Sequence, residues 1–388
     1  MTVDVRYGDA WVLADQLEPN SIDCIVTSPP YWSLRDYGHP GQFGLEKTPS
    51  EYVAKLVDLF ARLRPALKDC GTIWLNLGDS YAGSWGAQSR GGPSSRRQGL
   101  STVQIAAAPR LGANTGSLSR TPGLKPKDLL GIPWRVAFAL QEDGWYLRSD
   151  CIWAKPNPMP ESVTDRPTKS HEYVFLLAKS RRYFVDRDGM NEPVQSDRSP
   201  SRKAKMSGAG RADLRPSGTP YDGTESHRNM RTVWIITSKP YRAAHFATMP
   251  PELAERCIRA GTSERGVCPA CGHPWVRVVA RETVFEGGSG RAGRSAEEVN
   301  GSGKWRNGGS SGNANLKLGP TVKSETLGWR ATCHCGGEPV PATVLDPFAG
   351  SGTTLFVAQR LGRSSIGFEL NEAYRPLIEA RLAQAASS

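Results

Sequence analysis

The stretch Val344-Leu345-Asp346-Pro347-Phe348-Ala349-Gly350-Ser351-Gly352-Thr353-Thr354 leads from an apolar strand pattern through a glycine-containing turn into a helix pattern. A second strand is predicted at residues 365–368, and Glu369 follows it. Open α/β sheets bind ligands at the carboxyl ends of their strands, and glycines let the backbone approach a ligand without a Cβ atom in the way. This stretch therefore predicts a loop for a nucleoside-containing cofactor, with Glu369 accepting hydrogen bonds from ribose hydroxyls.

Strand and helix patterns alternate over most of the remaining chain. Residues 48–51, Thr-Pro-Ser-Glu, are typical of a helix start, in which Glu51 closes a capping box. Apolar runs predict strands at 21–27, 71–77, 145–153, 173–178, 343–345 and 365–368, and helical periodicity predicts helices from 49 onward and at 132–140, 353–361 and 372–385. The alternation predicts an α/β fold, a doubly wound and mostly parallel sheet with helices on both faces.

Composition narrows the class of protein. The 388 residues are 38% hydrophobic, and no run approaches the roughly 18 apolar residues of a membrane span. The start of the sequence has no secretory pattern, so we expect a cytoplasmic protein without membrane contact. Eight cysteines are too few for a disulfide scaffold. The 49 basic and 38 acidic residues leave a charge of +11, which suits a polyanionic partner.

Three stretches lack the apolar periodicity of a folded element and predict flexible surface insertions. Residues 81–127 hold seven basic side chains and no acidic one, residues 196–232 are similarly basic, and residues 286–320 are rich in Gly, Ser and Asn. We expect the first two to contact phosphates of a nucleic acid.

A second motif lies near the N-terminus. Thr27-Ser28-Pro29-Pro30-Tyr31-Trp32 directly follows a predicted buried strand. Two prolines fix the backbone, so the turn can aim a hydroxyl and a carbonyl at one point beside an aromatic ring. This arrangement suits a flat base with an exocyclic amine that donates to Ser28 and the Pro29 carbonyl while Tyr31 stacks on its ring.

Together the two motifs resemble those of the amino-group DNA methyltransferases that use S-adenosylmethionine. That family carries a Ser/Asp/Asn-Pro-Pro-Tyr/Phe catalytic motif and an Asp-Pro-Phe-x-Gly-Ser-Gly-Thr-Thr cofactor loop. Further segments look like its middle section and its cofactor-flanking segment: 132–135, 155–162, 171–173 and 245–250. The resemblance implies a Rossmann-like methyltransferase fold with catalytic residues Ser28, Pro29, Pro30 and Tyr31.

The catalytic motif comes first and the cofactor loop last, which resembles the circularly permuted (β-type) order. We therefore expect residues 4–7 to supply the strand that the sheet still needs after the C-terminal helix, and Asp9, at the end of that strand beside the cofactor, to accept from the adenine amine. By the same resemblance, the cofactor contacts are Asp9, Thr27, Asp346, Phe348, Gly350, Ser351, Gly352, Thr353 and Glu369.

The resemblance implies methyl transfer to the exocyclic amine of a base flipped out of double-stranded DNA. Ser28 in the first motif position favours cytosine N4 in this family, and adenine N6 is the alternative. A zinc-dependent DNA-binding protein without catalysis and a methyltransferase for RNA or a small molecule remain alternatives of other classes. A partner restriction endonuclease fits the resemblance, and the oligomeric state stays open.

Four of the eight cysteines form two tight pairs, Cys268/Cys271 and Cys333/Cys335. Such pairs are typical of a tetrahedral structural Zn²⁺ site, in which His273 or His334 could replace one thiolate. The remaining cysteines, Cys24, Cys70, Cys151 and Cys257, are expected to pack in the interior. We accordingly expect a catalytic part at 1–261, a zinc-ribbon-like insertion at 262–341 that contacts DNA, and a cofactor-binding part at 342–388.

Overall fold

The computed structural model describes residues 1–34, 36–39, 41–82, 124–193, 227–238, 248–284 and 321–386. Most of the three predicted insertions lies outside these residues, as do residues 245–247 of the segment expected to flank the cofactor. Within the described part, no helix has the length and apolar character needed to cross a membrane.

The described chain alternates strands with helices. The strands are β1 Val3–Tyr7, β2 Ile22–Thr27, β3 Leu67–Leu77, β4 Tyr146–Ala154, β5 His171–Ala178, β6 Glu192–Pro193, β7 His227–Arg228, β8 Val233–Ile235, β9 Trp275–Val284, β10 Thr321–Ala331, β11 Thr343–Asp346 and β12 Ser364–Glu369. The α-helices are α1 Ala10–Ala14, α2 Pro49–Leu63, α3 Ile132–Glu142, α4 Pro251–Gly261, α5 Thr353–Arg360 and α6 Arg375–Ala386, with short 3₁₀ helices at Asp188–Met190 and Glu372–Tyr374.

Eight strands form one sheet in the order β1-β12-β11-β2-β3-β5-β4-β8. Only β5 runs antiparallel to its neighbours, so the predicted mostly parallel sheet is confirmed. The N-terminal strand joins the sheet as expected: β1 pairs in parallel with β12, Val3 beside Ser365 and Tyr7 beside Glu369. The head and the tail of the chain therefore form one edge of the sheet.

Alternating side chains place helices on opposite faces of the sheet. Ile25 and Ile73 belong to a core shared with α1, α2 and α3. Their neighbours Cys24 and Thr72 point the other way, where a Cβ on Gly261 at the end of α4 would lie 2.4 Å from the Cys24 sulfur. The close contact shows that α4 packs tightly on this face, together with α5 and α6.

The starts of two helices differ in detail from those predicted. Thr48 caps α2 by accepting from the Glu51 N–H at 3.2 Å. Glu51, however, accepts from the Lys47 N–H at 3.1 Å instead of closing the expected capping box on Thr48. The predicted helix at 372–385 begins with a 3₁₀ turn, which Asn371 caps by accepting from the Ala373 N–H.

The chain divides into two compact units. The first comprises Met1–Gly189, Arg231–Val276 and Trp329–Ser388, and it contains the eight-stranded sheet with all six α-helices. The second comprises Met190–Met230 and Arg277–Gly328. Within the second, β6 pairs antiparallel with β7.

Candidate functional site

The two sequence motifs meet at the carboxyl ends of neighbouring strands. β11 pairs in parallel with β2, with Val344 beside Cys24 and Leu345 beside Ile25. Just beyond this pairing, the buried Thr27 hydroxyl donates to Asp346 Oδ1 at 2.7 Å. This hydrogen bond joins the strand that precedes Ser28 to the residue that begins the glycine loop, 319 positions later in the sequence.

The glycine loop is shaped by a buried carboxylate at its start. Asp346 Oδ1 also accepts from the Phe348 N–H at 3.0 Å. Burial raises the pKa of Asp346, while hydrogen bonds from Thr27, Thr354 and Phe348 oppose the rise. The loop then passes through left-handed backbone conformations at Gly350 (φ 54°) and Gly352 (φ 75°), which glycine adopts without steric cost. A Cβ on Gly350 would meet the Phe348 carbonyl oxygen at 3.8 Å, which is an ordinary contact.

Glu369 closes the loop from the adjacent strand. Its Oε2 accepts from the Gly350 N–H at 2.8 Å, and its Oε1 accepts from the Asn371 N–H at 2.8 Å. Burial raises the pKa of Glu369 to about 7, although these backbone N–H groups favour the ionised form. Each carboxylate oxygen has two lone pairs, so both oxygens keep capacity for the hydroxyl groups of a ribose.

Two of the predicted cofactor contacts are occupied by a buried arginine that the sequence analysis missed. Arg381 Nη1 donates to Ser351 Oγ at 2.6 Å and to Thr353 Oγ1 at 2.7 Å. Both hydroxyls are buried, so in this structure they tie α6 to the loop. An Arg within the helical run 372–385 gave no sequence signal of this contact.

Asp9 and Phe348 lie at the margins of the loop. The Gly8 N–H donates to the Glu369 carbonyl at 2.9 Å. Asp9, the next residue in the chain, therefore follows directly after a contact with Glu369. Asp9 Oδ1 caps α1 by accepting from the Trp11 N–H at 2.8 Å. Phe348 is half-buried and packs edge-on against Phe43, with ring centroids 5.0 Å apart.

The Ser28 turn ends in a polar network. The Ser28 hydroxyl donates to Asn76 Oδ1 at 3.1 Å, and the Tyr31 hydroxyl contacts Asn76 Oδ1 at 3.0 Å and Glu172 Oε2 at 2.6 Å. Asn76 Nδ2 donates to Glu172 Oε2 at 3.2 Å and to the Tyr173 carbonyl at 3.0 Å. Lys155 forms an ion pair with the other oxygen of Glu172.

The carbonyl groups of the two prolines, Pro29 and Pro30, differ in their hydrogen-bond partners. The Pro30 carbonyl accepts from the Tyr52 hydroxyl at 2.8 Å, which anchors the turn to α2. No residue of the described segments donates to the Pro29 carbonyl, so this oxygen stays available as an acceptor. The absence of a side chain at Gly78 admits the Tyr31 ring, because a Cβ there would lie 2.4 Å from Cε2.

Burial and the neighbouring Glu172 charge raise the pKa of Tyr31 well above its ordinary value. Tyr31 therefore stays a neutral phenol, an aromatic surface with a fixed hydroxyl. Its partners Asn76, Glu172 and Lys155 had no assigned role in the sequence analysis. The available signal was a polar residue, Asn76, near the end of an otherwise apolar strand pattern.

Away from this site, the four paired cysteines come together as predicted. The Sγ atoms of Cys268, Cys271, Cys333 and Cys335 all lie within 4.8 Å of one another. Neither His273 nor His334 belongs to this group of the described residues. A left-handed turn at Gly272 (φ 70°) and a hydrogen bond from its N–H to the Cys268 carbonyl fold the first pair back on itself. Cys24, Cys151 and Cys257 are buried and Cys70 is half-buried, as expected of packing residues.

Comparisons with known proteins show the family of this chain. The N6_N4_Mtase family, described as DNA methylase, matches residues 22–268 and 338–380. The type II methyltransferase M.SmaI of Serratia marcescens is 36% identical over 378 residues, covering 97% of this chain and 90% of the relative. M.Cfr9I of Citrobacter freundii, also named a type II methyltransferase, is 43% identical over 255 residues, covering 66% of this chain and 71% of the relative.

Among solved structures, the PvuII DNA methyltransferase (cytosine-N4-specific) has a similar fold, with a TM-score of 0.52 at 14% identity. The alignment covers 100% of this chain and 91% of that protein. The family match spans both motifs, from the strand before Ser28 to beyond Glu369. The chain therefore belongs to the N6/N4 family of DNA methylases.

Proposed function

We propose that this chain transfers a methyl group from S-adenosylmethionine to the exocyclic amine of a flipped base in double-stranded DNA, with cytosine N4 as the favoured position. The observation that carries the proposal is the hydrogen bond between Thr27 and Asp346. It holds the turn that can receive an amine beside the loop that can receive the methyl donor.

The loop fits the cofactor by its chemistry. Glu369 offers acidic acceptors for the ribose hydroxyls, and Asp9 offers Oδ2 for the adenine amine while Oδ1 caps α1. Phe348 and the backbone from Gly350 to Thr353 line the approach to the methionine part. When bound, S-adenosylmethionine supplies an electrophilic methyl group. Asp346 and Thr27 support the loop by fixing it against the Ser28 turn.

The chain's residues would activate the amine by position and electrostatics. An exocyclic amine delocalises its lone pair into the ring, and acceptors at Ser28 Oγ and the Pro29 carbonyl draw its protons toward a tetrahedral arrangement. The lone pair then localises on nitrogen, and the Tyr31 ring supports the base. Carbon-5 methylation needs a cysteine thiolate. The nearest cysteine in the sequence, Cys24, is fully buried, and burial raises its pKa to about 12.

Ser28 at the first motif position supports cytosine N4 over adenine N6, because a neutral hydroxyl occupies the place of the carboxylate or amide found in the alternative motifs. The surplus of basic residues supports DNA as the partner. The names of the relatives support a modification role beside a restriction endonuclease. The order of the motifs and the pairing of β1 with β12 support the permuted arrangement.

The cysteine cluster supports a structural Zn²⁺ site. Four sulfur atoms within 4.8 Å of one another fit the tetrahedral closed sites of zinc ribbons. Antiparallel bridges from Val267 to Pro274 and Val340 close the base of this segment. We therefore retain residues 262–341 as a zinc-ribbon-like insertion between a catalytic part, 1–261, and a cofactor-binding part, 342–388.

The test is incubation of unmodified DNA with labelled S-adenosylmethionine, followed by digestion and identification of the methylated nucleoside. N4-methylcytosine supports the proposal, N6-methyladenine corrects the base, and 5-methylcytosine or no transfer overturns it. Ser28→Ala should lower the transfer rate at least about a hundredfold. The matched control is Ser21→Ala, because the Ser21 hydroxyl donates to the exposed Glu18 carbonyl.

A further inference from the structure

The orientation of the Asn76 side chain is dictated by its surroundings. One end of the amide faces Glu172 Oε2 and the Tyr173 carbonyl, at 3.2 and 3.0 Å. Both of these oxygens are acceptors, so the NH₂ group must occupy that end. The carbonyl oxygen Oδ1 therefore points toward the hydroxyls of Ser28 and Tyr31.

The two hydroxyl protons then have defined destinations. Tyr31 has a single proton, and its shortest contact is the 2.6 Å bond to Glu172 Oε2. Hydrogen bonds to a carboxylate are stronger than neutral ones, so the Tyr31 proton goes to Glu172. Asn76 Oδ1 is left for the Ser28 proton at 3.1 Å. The weaker alternative partner of Ser28, the Tyr31 oxygen at 3.4 Å, also lies inside the network.

We infer that Asn76, oriented by Glu172, is a specificity-determining residue: it takes up the Ser28 proton, so Ser28 presents only lone pairs to the base. This inference rests on the proposed function. Within the described residues, no group donates to Ser28 Oγ, and Ser28 is half-buried. The adjacent Pro29 carbonyl is likewise an acceptor only.

Two acceptors side by side select a donor. An exocyclic amine, as in cytosine or adenine, can donate to both of them. Uracil and hypoxanthine carry a carbonyl at the same ring position. Its oxygen would face the lone pairs of Ser28 Oγ and of the Pro29 carbonyl and would stay buried without a hydrogen-bond donor. The network thus distinguishes an aminated base from its deaminated counterpart before any methyl transfer takes place.

The experiment measures binding of the full chain to two DNA duplexes in the presence of S-adenosylhomocysteine. One duplex carries the methylated base at its mapped site, and the other carries its deaminated counterpart, uracil for cytosine or hypoxanthine for adenine. Both duplexes have an abasic position opposite the target, so that the cost of unpairing is the same. The wild type should prefer the amine by about ten- to a hundredfold.

Two variants separate the role of Asn76 from a merely structural one. Asn76→Leu removes the acceptor, so Ser28 can turn its proton outward and the preference should fall to within about threefold of unity. Asn76→Asp keeps an oxygen toward Ser28 and, with its second oxygen protonated so that it can donate to Glu172 Oε2, should retain the preference. Unaltered binding of S-adenosylhomocysteine checks that each variant is folded.

Equal binding of the two duplexes by the wild type would overturn the inference even if Asn76→Leu failed to fold. An unchanged preference in a folded Asn76→Leu would also overturn it. Failure of the proposed function gives a different result, because the wild type would then transfer no methyl group to the natural DNA at all.

Discussion

The pKa of Glu369 makes cofactor binding dependent on pH in a predictable direction. Burial raises this pKa to about 7 in the cofactor-free protein. Ribose hydroxyls donate hydrogen bonds and therefore favour the ionised carboxylate over the protonated one. Affinity for a ribose-containing ligand should accordingly increase as the pH rises through 7.

The size of the expected change in affinity follows from the ionised fraction of Glu369. With a pKa of about 7, roughly one tenth of Glu369 is ionised at about pH 6 and roughly nine tenths at about pH 8. The apparent dissociation constant scales inversely with the competent fraction, so the affinity should rise about tenfold over this interval. Glu369→Gln has no charge to titrate and should bind weakly with a flat profile.

The assay is calorimetric titration with adenosine, which carries the ribose and adenine but has no amino acid group that titrates in this range. Parallel titrations of Asp4→Asn, an exposed acid on β1 paired with Arg6, provide the control and should follow the wild type. An adenosine affinity that is flat or falls from pH 6 to pH 8 in the wild type would refute the assignment of Glu369 to the ribose.

The same shift affects the stability of the cofactor-free protein. Burial raises the pKa of Glu369 from 4.5 to about 7. The contribution of this shift to the free energy of unfolding is therefore fully present below about pH 4.5 and is lost as the pH rises through 7. The shift corresponds to about 3 kcal/mol. Comparison of urea unfolding for the wild type and Glu369→Gln across this range measures the effect, and parallel pH profiles would contradict it.

Further expectations concern the other contacts that hold the site. Thr27→Val removes the hydrogen bond to the buried Asp346 and should cost about 1.5–3 kcal/mol in urea unfolding; a loss below about 0.5 kcal/mol would show that the bond is dispensable. Gly352→Ala should cost about 1 kcal/mol more than Gly362→Ala, because φ is alike at 75° and 74° but only at Gly352 would the Cβ approach Ile378, at 3.1 Å. Equal losses in the two variants would contradict this account of the loop. Elemental analysis should find one zinc per chain and markedly less in Cys335→Ser; a metal-free wild type would reject the site.

The sequence was most informative where backbone geometry determines position. A strand followed by glycines and a helix predicted the loop at 346–353, which in the structure joins β11 to α5. The loop depends on a local pattern that recurs in parallel sheets. The family resemblance, and not a local pattern, predicted that residues 4–7 join the sheet, and the structure pairs them with β12.

Side-chain partners far apart in sequence were not predictable in the same way. Arg381 reaches Ser351 only because α6 packs against α5. Asn76 and Glu172 meet because β5 runs antiparallel to β3, with Asn76 beside Val174. A polar residue in an apolar strand signals a buried contact, but its partner depends on strand order. Strand order is a tertiary property that one sequence does not display.

The central claim is that the Ser28 turn and the glycine loop form a single pocket in which a methyl donor faces a base amine. A crystal structure with S-adenosylhomocysteine tests it most directly. The account predicts ligand density with the ribose at Glu369 and the sulfur directed toward Ser28. Density at any other place, with the space between Ser28 and Gly350 empty, would contradict it.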